Sequence, residues 1–122
     1  MVKRNGIVVV EDERFIRTAL VTLIEDCGFS PLEASDGDKA VQILEQNANH
    51  VLAVIADIQL PNSMNGILLV KHVQKHWPWI HTILTSGREA PGEAAIPSDT
   101  RFFQKPLVFR ALLDHLLGLQ QK

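Results

Sequence analysis

VLAVIADIQLPNSMNG, residues 51–66, is the stretch of sequence that decides the fold. It opens with an apolar run over residues 51–56, which is the clearest β-strand signal in the chain. Asp57 follows this run at once, and the proline and asparagines that come next are typical of turns. Asn65 then stands where a helix can begin with a side-chain cap. The stretch therefore predicts a strand, an acid at its carboxyl end, and a loop that leads into a helix.

The alternation of apolar runs and helical periodicity continues in both directions from this stretch. Further strands are predicted at residues 7–10, 31–34, 80–84 and 101–104. Helices are predicted after the first, second, third and fifth strands, because apolar residues recur there at helical spacing. In chain order, the apolar faces of these four helices comprise Phe15, Ile16, Ala19, Leu20, Leu23, Ile24 and Cys27; Ala40, Val41, Ile43 and Leu44; Ile67, Val70, Val73 and Trp77; and Phe109, Leu112, Leu113, Leu116 and Leu117. Strands that alternate with helices predict a mostly parallel sheet covered on both faces.

Length and composition limit the class of protein. The chain has 122 residues, of which 46% are hydrophobic and 21% charged, so we expect one globular domain over residues 1–122. A net charge of −2 offers no basic surface for nucleic acid or lipid, and no apolar stretch approaches the length of a membrane span. The single cysteine, Cys27, and an amino-terminal apolar run too short for a signal peptide lead us to expect a cytoplasmic location.

Polar and charged side chains follow four of the five predicted strands. They are Glu11 and Asp12 after the first strand, Asp57 after the third, Thr85 and Ser86 after the fourth, and Lys105 after the fifth. Because the carboxyl ends of parallel strands lie at one edge of a sheet, we expect these residues to converge on one site. Convergence would come from the fold, since the residues themselves are far apart in the chain.

Three carboxylates that lie close together repel one another, and a hard divalent cation removes that repulsion. Mg²⁺ takes oxygen ligands from one or two carboxylates and a phosphate, so the acids predict a Mg²⁺ site. A carboxylate can also accept a phosphoryl group, which makes Asp57 a candidate for an aspartyl phosphate. Lys105 could neutralise one side of that group, and a Thr85 hydroxyl could donate a hydrogen bond to it. Side-chain alternation along the strand favours Thr85 over Ser86.

Four motifs carry a resemblance to a known family. They are VVVEDE at residues 8–13, ADIQLPNSMNG at residues 56–66, ILTSG at residues 83–87 and QKP at residues 104–106. In this order and spacing they resemble the receiver domain of two-component response regulators, within the superfamily of the chemotaxis regulators. The resemblance covers essentially the whole chain.

The resemblance implies a flavodoxin-like, three-layer (βα)₅ fold of the α/β class, with a parallel five-stranded sheet in the order 2-1-3-4-5. It implies Mg²⁺-dependent phosphorylation of Asp57 by a histidine kinase or a phosphotransfer protein. The implied site residues are Asp57 as phosphoacceptor; Glu11, Asp12, Asp57 and the backbone carbonyl of Gln59 as Mg²⁺ ligands; and Thr85, Lys105 and Phe102 as phosphoryl-contacting and switch residues. The Lys105–Pro106 peptide bond is expected to be cis.

Such a protein is a signalling switch rather than a metabolic enzyme, because it catalyses only its own phosphorylation and dephosphorylation. Its expected partners are the phosphodonor and a downstream output protein or domain, without direct binding of nucleic acid or membrane. We expect a monomer or a weak homodimer.

The sequence departs from the common pattern of the family in two places. The loop PNSMNG at residues 61–66 is one residue longer than in many relatives. Pro91, Gly92 and Pro97 interrupt residues 88–100, so the fourth helix is expected to be short or absent.

Other functions remain as alternatives. Asp57 alone could be a turn residue, and Glu11 and Asp12 could be acids favoured near a helix N-terminus. A receiver-like module could bind partners without phosphorylation, although a complete set of acids, hydroxyl and lysine disfavours this. A phosphatase of the haloacid dehalogenase type needs a second Asp where Gln59 stands. A flavin-binding protein needs a hydroxyl- and glycine-rich phosphate loop after the first strand, where this chain has acids.

Overall fold

The computed structural model describes residues 3–87 and 95–120. Within these residues, five strands and four α-helices follow one another in the predicted order. Their bounds are β1 Gly6–Val10, α1 Arg14–Asp26, β2 Ser30–Ala34, α2 Gly37–Asn47, β3 Val51–Asp57, α3 Gly66–His76, β4 His81–Ser86, β5 Thr100–Gln104 and α4 Phe109–Gln120, with a 3₁₀ turn, Ala48–His50, before β3.

The five strands form one parallel sheet in the order β2-β1-β3-β4-β5, which confirms the predicted α/β fold and strand order. β3 lies at the centre of the sheet, and all seven of its residues are buried. β2 contains Pro31 and lies at one edge, where a residue without an N–H group is tolerated. The apolar run at residues 51–56 thus builds the middle of the molecule.

Side chains that alternate along the strands fill two cores, one on each face of the sheet. Val8 and Val54 belong to the core under α2 and α3. Val9 and Ile55 belong to the core under α1 and α4. This alternation decides on which face of the sheet the side chain of a residue at a strand end lies.

Residues that favour helix ends stand at the bounds of α1, α2 and α3, among them Asn65, the cap that the sequence predicts. The Asp36 side chain accepts a hydrogen bond from the backbone N–H of Lys39 at 2.8 Å at the start of α2. The Asn65 side chain accepts one from the N–H of Leu68 at 2.9 Å at the start of α3. Gly28 follows α1 with a φ of 90°, a conformation that suits glycine after a helix.

The predicted inward face of α1 is wrong at Phe15. This side chain is 85% exposed, whereas Leu20 and Ile24 are buried. Phe15 precedes Leu20 by five residues, which turns it about 140° around the helix from Leu20. Ala19 is exposed as well. The buried face of α1 is therefore narrower than the apolar face that the sequence predicted for this helix.

The predicted inward face of α4 is also wrong in part. Leu112 and Leu116 are fully buried, but Phe109 and Leu117 are each 38% exposed. Leu117 follows Leu116 by one residue and so points about 100° away from it. Phe109 is the first residue of α4 and borders an open apolar hollow together with Phe15.

Two predicted strands are longer at their carboxyl ends than the sequence indicated. β4 runs to Ser86, so Thr85 and Ser86 are its last two residues rather than residues that follow it. Asp57 is likewise the last residue of β3. Asp57 and Thr85 are register partners, so these two chemically active residues lie side by side in the sheet.

The connection between β4 and β5 agrees, where it is described, with a fourth helix that is short or absent. Residues 95–99 contain no α-helix, and residues 88–94 lie outside the described residues. The Gln74 side chain of α3 donates a hydrogen bond to the carbonyl of Ser98 at 2.7 Å, which ties this connection to α3. Among the described helices, none is long and apolar enough to cross a membrane.

Candidate functional site

The site lies at the carboxyl edge of the sheet, at the ends of β1, β3, β4 and β5. Val9, Ile55, Ile83 and Phe103 face the core under α1 and α4. The residues two positions further on continue the same alternation. These residues are Glu11, Asp57, Thr85 and Lys105. One period-two pattern therefore delivers four side chains from four strands to one face.

The Lys105 ammonium group joins two of the acids. Its Nζ donates a hydrogen bond to Glu11 Oε1 at 2.5 Å and another to Asp57 Oδ2 at 2.8 Å. The Lys105 backbone N–H donates to the carbonyl of Ser86 at 2.8 Å, and the following Lys105–Pro106 bond is cis, as predicted. The backbone of Lys105 is thus fixed while its side chain spans the two carboxylates.

Three carboxylates lie within reach of a single ion. One oxygen from each of Glu11, Asp12 and Asp57 lies within 4.8 Å of the others. Glu11 and Asp57 are buried, whereas Asp12 is exposed. A set of hard oxygen donors with one side open to water is what Mg²⁺ requires, because this ion keeps several of its waters. The residues present therefore fit the ion that the acids predict.

The electrostatics of the site disfavour its negative charge when no cation is bound. Burial raises the pKa of the Glu11 carboxyl, the nearby charge of Asp57 adds to the rise, and hydrogen bonds from Lys105 and the Glu13 N–H oppose it only in part. Burial lowers the pKa of Lys105, but hydrogen bonds to Asp57 and Glu11 outweigh this effect and leave the pKa above its ordinary value. Lys105 is therefore charged, and a second cation would relieve the remaining acidic charge.

The position of Glu11 is fixed through its backbone. Its N–H donates to the carbonyl of Ala34 at 3.1 Å, and its carbonyl accepts from Arg17 Nη1 at 2.8 Å. Arg17 is held in turn by an ion pair with Glu33, with 3.0 Å between Nε and Oε1. The loop after β1 is thus tied to β2 and to α1, which directs the Glu11 carboxylate toward Lys105.

The position of Asp57 is fixed by the loop that follows it. The Gln59 N–H donates to Asp57 Oδ1 at 3.1 Å, and the Ile58 N–H donates to the carbonyl of Thr85 at 2.8 Å. A side chain at Gly66 would place its Cβ only 2.3 Å from the backbone oxygen of Asp57. Glycine is therefore required at residue 66 for α3 to begin this close to the phosphoacceptor candidate.

The hydroxyl and aromatic residues of the predicted site occupy different faces of the sheet. Thr85 is 2% exposed and lies beside Asp57. Phe102 is partly buried against the opposite core, under α2 and α3, and is the register partner of Leu84. The structure thus brings Glu11, Asp12, Asp57, Thr85 and Lys105 together at one edge, and places Phe102 beneath them on the other face.

Sequence reasoning missed two contacts at the site. Ser86 donates a hydrogen bond from Oγ to Gln59 Oε1 at 2.9 Å, and Arg17 holds the carbonyl of Glu11. Alternation along the strand correctly separates Ser86 from Thr85, but it does not say what Ser86 contacts. Nothing in the sequence indicates the contact of Arg17 with Glu11, because the spacing of the two residues matches no capping or helix-pairing pattern.

Comparison with known proteins identifies the class to which this fold and site belong. A family model of the response regulator receiver domain matches residues 7–117. The chain belongs to this family of receiver domains, as its motifs predict.

Relatives with curated descriptions include a sensor kinase and a phosphodiesterase. The sensor kinase CckA of Brucella abortus (strain 2308) is 31% identical over 119 residues, which are 95% of this chain and 12% of that protein. The cyclic di-GMP phosphodiesterase RocR of Pseudomonas aeruginosa is 35% identical over 87 residues, which are 70% of this chain and 21% of that protein. The chain thus matches only a small part of the length of each.

Solved receiver structures have the same fold. The receiver domain of the hybrid histidine kinase CckA matches with a TM-score of 0.81 at 28% identity, over 95% of this chain and 99% of that one. A response regulator receiver protein from Sinorhizobium medicae WSM419 matches with a TM-score of 0.87 at 22% identity, over 97% of this chain and 95% of that one.

Proposed function

We propose that this receiver domain is a Mg²⁺-dependent phosphorylation switch with Asp57 as the phosphoacceptor. The phosphoryl group would come from a phosphohistidine on a histidine kinase or a phosphotransfer protein. Phosphorylation would then change how the domain binds a downstream output protein or domain. We place this reaction in the cytoplasm, a reducing compartment that suits a lone cysteine.

The observation that carries the proposal is the contact of Lys105 with both Asp57 and Glu11. A lysine ammonium lies 2.8 Å from Asp57 Oδ2, and an ion held by the three carboxylates would add positive charge on a second side of the central acid. Phosphoryl transfer needs little from a protein beyond positioning and charge neutralisation. The site supplies both.

In the reaction, an Asp57 carboxylate oxygen attacks the phosphorus atom of the donor phosphohistidine. A P–O bond forms while the P–N bond breaks, and the imidazole nitrogen keeps the electron pair and takes a proton. Glu11, Asp12, Asp57 and the backbone carbonyl of Gln59 would hold Mg²⁺, which when bound supplies charge neutralisation for the phosphoryl oxygens. Lys105 would pair with the phosphoryl group from the other side.

The same residues suggest how the switch acts. A Thr85 hydroxyl that donates to the phosphoryl group would shift Thr85 toward Asp57. Phe102 lies on the neighbouring strand and on the opposite face of the sheet, and its side chain would reorient as the end of β4 moves. A phosphoryl group adds charge whose hydrogen bonds exist in only one of two states, so it shifts their equilibrium. The domain itself would catalyse only its own phosphorylation and dephosphorylation.

Incubation with acetyl phosphate and Mg²⁺, followed by intact-mass measurement, tests the proposal. We expect the wild-type chain to gain one phosphoryl group and Asp57→Asn to gain none. Asp38→Asn is the matched control, because Asp38 is an exposed acid in the first turn of α2 that does not belong to the three carboxylates of the site. Chelation of Mg²⁺ and Lys105→Ala should both reduce labelling. A wild-type chain that stays unmodified would instead support a receiver-like module that binds partners without phosphorylation.

A further inference from the structure

A buried serine beside the phosphoacceptor holds the side chain of Gln59. Ser86 is fully buried at the end of β4, and its Oγ donates to Gln59 Oε1 at 2.9 Å. The Ser86 carbonyl accepts from the Lys105 N–H at 2.8 Å, so the backbone of Ser86 is anchored in the sheet. The serine hydroxyl is therefore a fixed donor, and its hydrogen bond fixes the position of Oε1, the acceptor atom of the Gln59 side-chain amide.

Gln59 is placed to influence any group attached to Asp57. It follows Asp57 by two residues, and its backbone N–H donates to Asp57 Oδ1 at 3.1 Å. Its side chain is partly buried rather than free in solvent. The Asp57 carboxylate therefore holds the backbone of Gln59, and the Ser86 hydroxyl holds its side-chain amide.

Hydrolysis of an aspartyl phosphate requires a water molecule on the side of the phosphorus opposite Asp57. The water oxygen forms a new P–O bond, the bond from phosphorus to the Asp57 oxygen breaks, Asp57 leaves as a carboxylate, and the proton of the water passes to solvent. A carbonyl oxygen that accepts a hydrogen bond from this water orients it for attack, whereas an amide NH₂ group cannot accept one. Which end of the Gln59 amide faces the phosphoryl group should therefore affect the rate.

We propose that the Ser86–Gln59 hydrogen bond prolongs the lifetime of the phosphoryl group on Asp57, because it keeps the Gln59 carbonyl oxygen away from the attacking water. Gln59 and Ser86 are positioning residues in this account, since neither needs to bond to the reacting atoms. The inference rests on the proposed function, because it concerns loss of the same phosphoryl group.

The test measures the half-life of the phosphorylated protein by intact mass after the phosphodonor is removed, with Mg²⁺ present throughout. Ser86→Ala releases the Gln59 carbonyl and should shorten the half-life about fivefold, equivalent to about 1 kcal/mol in the barrier. Ser86→Thr keeps a hydroxyl and should restore a half-life near that of the wild type. Gln59→Leu removes the side-chain acceptor but keeps the backbone groups, so its half-life is the reference for the double variant described next.

The double variant Ser86→Ala/Gln59→Leu decides whether the effect passes through Gln59. We expect the double variant to be as long-lived as Gln59→Leu alone, a non-additivity that a general loss of packing at residue 86 would not produce. An unchanged half-life in Ser86→Ala, or a double variant that loses phosphate as fast as Ser86→Ala, would overturn the inference and leave the proposed function intact. If the wild-type chain accepts no phosphoryl group, both fail together.

Discussion

Lys105 Nζ lies 2.8 Å from Asp57 Oδ2 although the two residues are 48 positions apart in the chain. The contact exists because Asp57 ends β3, Lys105 directly follows β5 of the same parallel sheet, and both continue the same side-chain alternation. The side chains of Lys105 and Asp57 are only 15% and 7% exposed, so water screens their charges poorly. Several properties of the chain should depend on this pair.

Removal of the Lys105 charge should destabilise the fold at neutral pH. Lys105→Met leaves the buried carboxylates of Glu11 and Asp57 without their shared cation, and we expect a loss of roughly 2–3 kcal/mol in the free energy of unfolding. Urea denaturation measures this loss. Saturating Mg²⁺ should restore part of it, since the ion replaces the missing positive charge. An unchanged urea midpoint would show that the pair is solvated rather than buried.

Neutralisation of Glu11 should have the opposite effect when no cation is bound. The pKa of Glu11 is higher in the folded chain than in the unfolded one, so the unfolded chain loses this proton at a lower pH. Once the pH exceeds both pKa values, the charged carboxylate lowers the free energy of unfolding. Stability should therefore rise as the pH falls through the folded pKa. Glu11→Gln should raise the melting temperature by a few degrees at pH 7 and have no benefit below the unfolded pKa.

Scanning calorimetry between pH 4 and pH 8 without divalent ions measures this effect of Glu11. Glu25→Gln, at an exposed position of α1, is the matched control and should leave the melting temperature unchanged at every pH. In saturating Mg²⁺ the advantage of Glu11→Gln should disappear, because the variant loses a carboxylate that we propose as a ligand of the ion. A lower melting temperature for Glu11→Gln at pH 7 without metal would contradict the assigned direction of the pKa shift.

Mg²⁺ should stabilise the wild-type chain through binding to the folded state alone. At ten times the dissociation constant, the expected gain is about 1.4 kcal/mol in the free energy of unfolding. Asp12→Asn removes the exposed carboxylate of the site and should abolish most of this gain, whereas Asp38→Asn should keep it. Thermal unfolding against Mg²⁺ concentration gives both values. Equal responses of the two variants would place the ion elsewhere.

Two glycine substitutions should change stability in opposite directions. Gly66→Ala forces a Cβ to within 2.3 Å of the Asp57 backbone oxygen, so α3 must shift, and we expect a loss of roughly 2–3 kcal/mol. A Cβ at Gly118 in α4 meets no atom within 4 Å, and Gly118→Ala should gain roughly 0.5–1 kcal/mol because alanine favours the helix. Urea unfolding of the two variants side by side tests the contrast, and similar values would contradict it.

The sequence allowed the fold to be predicted well because its signals are local. Apolar runs such as residues 51–56 indicated the strands, and the capping residue Asn65 marked the start of the helix that follows it. Alternating elements then left few topologies, and the order of the sheet followed from the resemblance. The convergence of Glu11, Asp57 and Lys105 required only that the sheet be parallel.

What the sequence could not give depends on contacts between distant elements. Phe15 fits the apolar pattern of α1, yet it is exposed because the sheet covers only a narrow stripe of that helix. The bonds from Ser86 to Gln59 and from Arg17 to Glu11 join different elements through flexible side chains. The spacing of residues in the sequence does not predict such contacts, because they depend on side-chain rotamers and on how the folded elements lie next to one another.

The most direct test of the central claim is to locate the phosphorylated residue. The chain is treated with acetyl phosphate and Mg²⁺ and then reduced with borohydride, which converts an aspartyl phosphate into homoserine, and the peptides are sequenced by mass spectrometry. The account predicts homoserine at residue 57 in a Mg²⁺-dependent amount and at no other aspartate. Homoserine at residue 12 or elsewhere, or an equal amount at residue 57 without Mg²⁺, would contradict it.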